Sequence, residues 1–358
     1  SVTDRSTYHV AVLPGDGIGP DVIRETLKAL EAVQSRVPLS FEFTEFSVGA
    51  GEYLKSGDPL PEATLERIKE YDAILLGAMG LPNVRWSTGV EMTPQIDLRE
   101  KLDLYCGLRP IYLYHPEHTP LKGHAAGEID FVIVRESTEG LFSSRLQKYA
   151  DDADEVVDNM RVTRAGSLRL FRSAFELARR RRRKLTLVDK ANVLPSMAFF
   201  RRVFDQVSGD YPDVETERVY VDAASLYLVE RPHSFDVLVT ENMFGDIISD
   251  LAAALVGGMG MAPSADIGDR WAVFQPSHGS APDIAGRGIA NPVATILSAA
   301  MMLEWWDTET ARRGARLIRD AAQQVLSDPA NRTRDLGGSL STTEMGDRIA
   351  AAIRSAEA

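Results

Sequence analysis

Two aspartates, Asp246 and Asp250, stand four residues apart at the start of a predicted helix. The run that precedes them, residues 235–240, is apolar and typical of a buried strand. Residues at i and i+4 share one face of a helix, so both carboxylates point the same way. Paired carboxylates suit a hard divalent cation such as Mg²⁺ or Mn²⁺. An exposed acidic helix start, favoured by the helix dipole, is the alternative.

Three arginines are candidates for binding carboxylate groups. Arg99, Arg109 and Arg135 are each predicted at the end of a strand or helix, and Arg135 directly follows an apolar strand. The guanidinium fork matches the two oxygens of a carboxylate. Three such groups in one cleft would suit a di- or tricarboxylate, although a surface ion pair better explains each arginine taken alone.

Lys190 and Asp222 are further candidates for chemistry. Lys190 follows a buried strand, and a lysine close to a metal can act as a general base. Asp222 is a third acidic residue, in the mostly apolar segment Tyr220-Val221-Asp222-Ala223-Ala224.

A loop of small residues, Ser277 to Ile284, is a candidate cofactor site because its N–H groups can approach a phosphate closely. Asp283 could accept hydrogen bonds from ribose hydroxyls and would repel a 2′-phosphate, which favours NAD over NADP. The segment Gly15 to Pro20 is a poor dinucleotide fingerprint, because Pro20 stands where a third glycine is needed. We therefore do not expect a Rossmann site.

The elements that must position these residues alternate between strand and helix. This alternation predicts an α/β fold with substantial parallel pairing. No Pro-, Gly- or Ser-rich linker divides the chain, so two domains are expected to interweave. The predicted strands are His9–Leu13, Phe41–Phe46, Ala73–Leu76, Ile129–Val134, Leu185–Val188 and Val237–Val239, and the predicted helices are Asp21–Val33, Pro61–Lys69, Leu168–Ala178, Val293–Glu304 and Ala311–Val325.

Composition excludes several classes of function. The 358 residues are 44% hydrophobic and 26% charged, with room for two domains, and the net charge of −12 disfavours binding to nucleic acids or membranes. The one basic cluster, Arg179 to Lys184, is predicted to be a solvated helix end. The single cysteine, Cys106, cannot form an internal disulfide. Ser1 to His9 is polar and no apolar run reaches about 18 residues, so a cytoplasmic protein is predicted.

Together these segments resemble the metal-dependent β-decarboxylating dehydrogenases, which act on isopropylmalate, isocitrate, homoisocitrate, tartrate or D-malate. The resemblance runs from Leu13 to Gly338 and is most specific at residues 189–192, 245–250 and 278–283. It implies an isocitrate/isopropylmalate dehydrogenase-like fold rather than a Rossmann fold, with two interwoven domains around a central cleft. Residues 1–104 plus 257–358 would form the cofactor-binding domain, and residues 105–256 the substrate, metal and dimerisation domain.

The resemblance also implies a role for each candidate. Arg99, Arg109 and Arg135 would bind the malate carboxylates, with Gln95 facing the C3 substituent. Asp246 and Asp250 would bind Mg²⁺ or Mn²⁺. Asp222 would complete this metal site from the partner subunit of a homodimer, and Lys190 would cross the same interface as a catalytic residue. The expected NAD-binding residues are His278, Gly279, Ser280, Ala281, Asp283, Ile284, Asn291 and Asp335.

The implied reaction is the oxidative decarboxylation of a 3-substituted malate or a related 2-hydroxy acid. Lys190 would accept the hydroxyl proton, directly or through a water, as hydride passes to the nicotinamide. The β-carboxylate would then leave as CO₂, and protonation of the enolate would give a 2-keto acid.

The chain departs from the family pattern at three places. Phe142 replaces a tyrosine that protonates the enolate, and phenylalanine has no proton to give; Ser143, Ser144, Tyr149 or a water are possible substitutes. Gln275 stands where relatives usually have a glutamate. Gln95-Ile96 replaces the Leu-Leu pair of isopropylmalate enzymes, which ranks isopropylmalate below smaller or more polar malates.

Glu139 and Gly140 resemble the residues found at these positions in the isocitrate and tartrate branches of the family.

Three alternative hypotheses stay open. The chain could be a variant that oxidises without efficient decarboxylation, a non-catalytic ligand-binding relative, or a protein that binds nucleic acid through Arg179 to Lys184.

Overall fold

The computed structural model describes residues 7–357, in which ten strands form one mixed sheet between eleven α-helices. The strands are β1 Thr7–Gly15, β2 Ser40–Glu45, β3 Ala73–Ala78, β4 Cys106–Tyr112, β5 Asp130–Glu136, β6 Lys184–Asp189, β7 Glu215–Tyr220, β8 Val237–Thr240, β9 Pro263–Ile267 and β10 Ala272–Pro276. The helices are α1 Gly19–Gln34, α2 Ala50–Ser56, α3 Glu62–Ile68, α4 Pro94–Lys101, α5 Arg164–Arg180, α6 Pro195–Ser208, α7 Val221–Glu230, α8 Asn242–Ala254, α9 Val293–Trp306, α10 Glu309–Leu326 and α11 Thr342–Ser355.

The order of strands across the sheet is β2-β1-β3-β10-β9-β4-β5-β8-β6-β7. Pairing is parallel in both outer parts, whereas β10–β9, β9–β4 and β4–β5 are antiparallel. The predicted parallel pairing is therefore correct for the outer strands, and an antiparallel centre is added to it. Strands from both ends of the chain share one half of the sheet.

Helices cover both faces of the sheet, and the side chains of β1 show how. Val10 and Val12 enter one apolar core with α1, α9, α10 and α11, whereas Ala11 and Leu13 enter a second core on the other face. Two further apolar cores flank β5, β6 and β8. A strand covered on both faces reads as a continuous apolar run, which is why β1, β3 and β8 were predictable.

Arg109 corrects one prediction about position. It lies in the middle of β4 rather than at the end of an element, paired with Ile133 of β5. The segment was difficult to recognise as a strand because Gly107 and Pro110 interrupt its apolar pattern.

The domain boundaries near residues 104 and 256 remain a prediction, since a continuous sheet does not itself mark them. Residues 1–6 and residue 358 lie outside the described residues, as does most of the polar start considered above. No helix within residues 7–357 is long and apolar enough to cross a membrane.

Candidate active site

A cavity of about 230 Å³ opens where the centre of the sheet meets α4, α8 and the loop after β10. It brings together most of the predicted substrate and metal residues. The lining side chains are Gln95, Ile96, Arg99, Arg109, Arg135, Phe142, Asp246, Ser249, Asp250, Ser264, Gln275 and His278, together with Ala78, Met79, Pro276, Ser277 and Gly279.

The two aspartates on α8 both face this cavity. Glu241 caps the helix by accepting the N–H of Phe244, and Ile248 is buried in the core, so the helix holds both carboxylates in place. The apolar residues between the two aspartates were expected to anchor the helix, but only Ile248 does so, because the Ile247 side chain is 57% exposed. Burial, and then the neighbouring Asp246 charge, raise the pKa of Asp250. Two crowded carboxylates of this kind are stabilised by a cation.

Arg135, at the end of β5, contacts the metal-site candidate directly. Its Nη1 lies 3.2 Å from Asp246 Oδ1, while Nε and Nη2 donate to Asn242 Oδ1 at 3.0 and 2.8 Å. Burial, and then the nearby Arg99 charge, lower the pKa of Arg135 to about 9. Asn242, which had no predicted role, holds this guanidinium in place. The only sequence signal for such a role was its position as the first residue of α8, directly after a strand.

Asp266 is the main site residue that the sequence reasoning missed. It is fully buried in β9 and accepts from Arg99 Nε and Arg109 Nη2, each at 3.1 Å. Gln275 Nε2 also donates to it at 3.1 Å. Burial alone would raise the pKa of Asp266, but Arg109 and Arg99 outweigh burial and hold it well below its usual range.

Lys190 and Asp222 do not line the cavity. Lys190 Nζ and Asp222 Oδ1 lie 2.8 Å apart, and this hydrogen bond lowers the pKa of Asp222. Within residues 7–357 of one chain, no three His, Cys, Asp or Glu side chains cluster as a metal site. The expectation that Lys190 and Asp222 reach the site of a partner subunit remains a prediction.

The predicted cofactor residues lie on the loop after β10 and on two segments beside it. His278 and Gly279 face the cavity. Asp283 is exposed at the short helical turn Pro282–Ile284, whereas Asn291 Nδ2 donates to Asp335 Oδ2 at 3.1 Å. Burial lowers the pKa of His278, so a neutral imidazole is favoured there.

The segment Gly15 to Pro20 packs against the cofactor loop and holds it by a backbone hydrogen bond. The backbone N–H of Ile18 donates to Ser280 O at 2.7 Å, and a Cβ on Gly17 would come within 1.9 Å of the same oxygen. Asp16, a second residue without a predicted role, accepts from the N–H groups of Ala50, Gly51 and Gly80. The glycines of the Gly15–Pro20 segment therefore allow the backbones to pack closely.

The three departures from the family pattern all face the cavity. The ring centroid of Phe142 lies 5.1 Å from the Arg135 guanidinium carbon. Gln95 Oε1 is buried, and no group in the described part of the chain donates to it.

The proposed substitutes for the missing tyrosine lie elsewhere. Ser143, Ser144 and Tyr149 are not among the side chains that line the cavity. Ser143 Oγ donates to Gly140 O at 2.8 Å, and Ser144 Oγ donates to Asn159 O at 3.2 Å. The hydroxyls that do face the cavity belong to Ser249, Ser264 and Ser277.

The basic cluster and the cysteine have structural explanations. Arg179 pairs with Asp213, and Arg181 pairs with Asp130 and Asp236, at the end of α5 as predicted. Burial raises the pKa of the Cys106 thiol to about 12, which makes it a poor nucleophile.

Comparisons with known proteins agree with this geometry. A family profile described as isocitrate/isopropylmalate dehydrogenase matches residues 9–349. The chain is 46% identical to 3-isopropylmalate dehydrogenase of Moorella thermoacetica over 96% of this chain and 98% of that protein. It is 42% identical to the Aquifex aeolicus enzyme of the same name, with 96% of each chain covered.

The crystal structure of isocitrate dehydrogenase from Methylococcus capsulatus superimposes with a TM-score of 0.88 at 37% identity, covering 97% of this chain and 99% of that one. The predicted fold and enzyme class are thereby confirmed. The chain belongs to the isocitrate/isopropylmalate dehydrogenase family and is a β-decarboxylating dehydrogenase.

Proposed function

We propose that this enzyme catalyses the NAD- and divalent-metal-dependent oxidative decarboxylation of a 3-substituted malate to a 2-keto acid. The observation that carries the proposal is one cavity that combines three arginines with the Asp246–Asp250 pair, beside the glycine-containing loop at residues 277–284. Three guanidinium groups suit the carboxylates of a malate.

The metal and the cofactor each have a fitting set of residues. Asp246 and Asp250 offer carboxylate oxygens that suit Mg²⁺ or Mn²⁺, with Asp222 of the partner subunit as the third ligand. When bound, the cation supplies Lewis acidity at the substrate oxygens. The residues proposed to hold NAD, which accepts the hydride, are His278, Gly279, Ser280, Ala281, Asp283, Ile284, Asn291 and Asp335.

The chain's own residues then perform three tasks. Arg99, Arg109 and Arg135 bind and orient the carboxylates of the substrate. Lys190 of the partner subunit accepts the proton of the C2 hydroxyl. The neutral, half-buried imidazole of His278 keeps an additional positive charge away from the reacting end of the cavity.

A homodimer is proposed because several exposed apolar side chains lie on the elements that carry the Lys190–Asp222 pair or follow them in the chain. Exposed apolar groups concentrated in one region mark interaction surfaces. They lie at the end of β7, on α7 and α8, and in the loop before α6, and they are Val193, Tyr220, Leu226, Val229 and Ile247. Covering these groups with a second copy would also bring Lys190 and Asp222 to a neighbouring site.

For the substrate we favour a 3-alkylmalate or a malate with a small polar C3 substituent. The relatives described above are named for isopropylmalate, which supports an alkyl group. Gln95 and Ile96 present one polar and one apolar side chain to the cavity, and the unpaired Gln95 Oε1 suits a donor on the substrate. The ranking of isopropylmalate below smaller malates remains a prediction.

A second candidate is oxidation of the 2-hydroxy acid without efficient decarboxylation. The specific observation is Phe142, which places an aromatic ring against Arg135 without a hydroxyl group.

A substrate panel tests both candidates. D-malate, tartrate, several alkylmalates and isocitrate are assayed with Mn²⁺ and NAD or NADP, and NADH or NADPH and CO₂ are quantified together. We expect NADH formation with at least one alkylmalate, and its loss after metal chelation or in D246N. Equal yields of NADH and CO₂ would contradict the second candidate, and a lack of turnover with every substrate would contradict both.

A further inference from the structure

Asp266 lies behind the arginines and does not itself line the cavity. Its side chain is fully buried in β9, opposite Gly107 of β4, and a Cβ on that glycine would come within 3.0 Å of Asp266 Oδ1. Ser137 Oγ is 3.3 Å from the same oxygen. Because this carboxylate contacts no solvent, its charge acts on the arginines with little screening.

The bonds to Asp266 leave Arg99 aimed at the cavity. Arg99 uses only Nε to contact Asp266, so within residues 7–357 both of its terminal nitrogens are available for a substrate carboxylate. Arg109 is more fully occupied, since Nη1 donates to Leu108 O and Ala265 O while Nη2 donates to Asp266. One buried carboxylate thus orients one arginine and holds the other.

Asp266 also completes a charge balance around the cavity. The guanidinium groups of Arg99, Arg109 and Arg135 are matched by the carboxylates of Asp246, Asp250 and Asp266. The Lys190–Asp222 pair adds no net charge. Before the cofactor binds, a divalent cation would therefore leave two positive charges, which a dicarboxylate neutralises and a tricarboxylate exceeds.

We propose that Asp266 is a positioning residue that sets the charge selectivity of the cavity, favouring a malate with two carboxylates over one with three. This inference rests on the proposed function, because it assumes a malate-type substrate and a divalent cation. Gln275 donates to Asp266 as a neutral amide. Exchanging the two side-chain types, as in D266N/Q275E, would therefore move the negative charge to the neighbouring side chain without removing it from the site.

The test compares D266N, Q275E and the double variant D266N/Q275E. For each, kcat/KM is measured with an alkylmalate and with isocitrate, and calorimetry with Mg²⁺ measures binding of succinate and tricarballylate. We expect wild type to favour the dicarboxylates. D266N should shift both ratios towards the tricarboxylate by about tenfold or more, as expected for removing one buried charge near a third carboxylate. The double variant should largely restore the ratios.

D236N is the matched control. Asp236 is nearly as buried as Asp266 and also pairs with an arginine, Arg181, but lies outside the cavity. It should leave both ratios unchanged.

Equal losses for both ligand classes in D266N would overturn the proposal, as would a wild-type preference for tricarboxylates. If D266N does not fold, Q275E still tests the charge effect, because it should disfavour the tricarboxylate by about tenfold. An inactive wild type would contradict the proposed function, while the binding ratios would still decide the role of Asp266.

Discussion

At the scale of single residues, surroundings give two like carboxylates different tasks. Asp246 lies on α8 with half of its side chain exposed to the cleft, where its oxygens are available to a cation. Asp266 has no exposed surface and is fully engaged by donors. The first can exchange ligands, whereas the second acts as a fixed charge.

The D266N variant should be less stable than wild type, in a way that depends on pH. Removing one partner of a buried ion pair costs roughly 3–5 kcal/mol. Because the folded-state pKa of Asp266 lies well below its unfolded value near 4, the stabilisation is complete above about pH 4 and is lost as the pH falls towards the folded pKa.

Urea unfolding of both proteins between pH 3 and 7 measures this difference in the free energy of unfolding. It should be constant at the upper end and shrink below pH 4 by about 1.4 kcal/mol per pH unit. A difference that grows on acidification would contradict an ionised Asp266.

Phe142 permits a gain-of-function test. The F142Y variant would place a hydroxyl beside Arg135 at the cavity wall, where the family resemblance expects a proton donor. General acid catalysis contributes roughly 100-fold or more, so we expect kcat to rise by at least tenfold if protonation limits wild type. F142L, which lacks the hydroxyl, is the control. Equal rates for both variants would show that protonation does not depend on this position.

At the scale of elements, the contact between α8 and β5 sets the distance between the metal-site carboxylates and the substrate arginines. Gly245 makes this contact possible: a Cβ there would come within 2.6 Å of Arg135 Cγ and 2.8 Å of Arg135 Cβ. The glycine is therefore required by close approach, since no positive φ is involved.

G245A should displace either α8 or the Arg135 side chain. A misplacement of about 1 Å can cost roughly 100-fold in rate, so we expect kcat/KM to fall by between 10- and 100-fold. G209A is the control, because a Cβ at the end of α6 meets only Gln206 O at 3.4 Å. Steady-state kinetics and thermal unfolding of both variants make the comparison. A similar loss in G209A would show a general effect on stability.

At the scale of the whole molecule, the sequence predicts features that depend on local spacing better than contacts between residues that are distant in the chain. The Asp246–Asp250 pair was predictable because helical spacing alone places both groups on one face. Asp266 was not, because its role depends on β9 pairing with β4 and so on contacts between residues 106–108 and 265–267. Its segment contains no spacing that marks it, and only the sheet order brings it to Arg99 and Arg109.

The same limit applies to Lys190 and Asp222, whose predicted roles depend on contacts between two chains. In one chain they form an ion pair away from the cavity. A shared site predicts that two inactive variants can complement each other. In a mixture of K190A and D246N, each mixed dimer would contain one site with the intact Asp246 of one subunit and the intact Lys190 of the other.

Random exchange of subunits makes half of the dimers mixed, and each mixed dimer has one complete site of two, so about a quarter of wild-type activity should return. The two variants are unfolded and refolded together, and NADH formation is compared with that of each variant refolded alone. The surface variant I247K, which introduces a charge and is placed in both chains, should prevent the recovery if the exposed face of α8 is the interface. No recovery in the plain mixture, with dimers verified by light scattering, would place Lys190 and Asp246 in the same chain's site. In that case a single subunit would have to close by moving the Lys190–Asp222 pair towards α8.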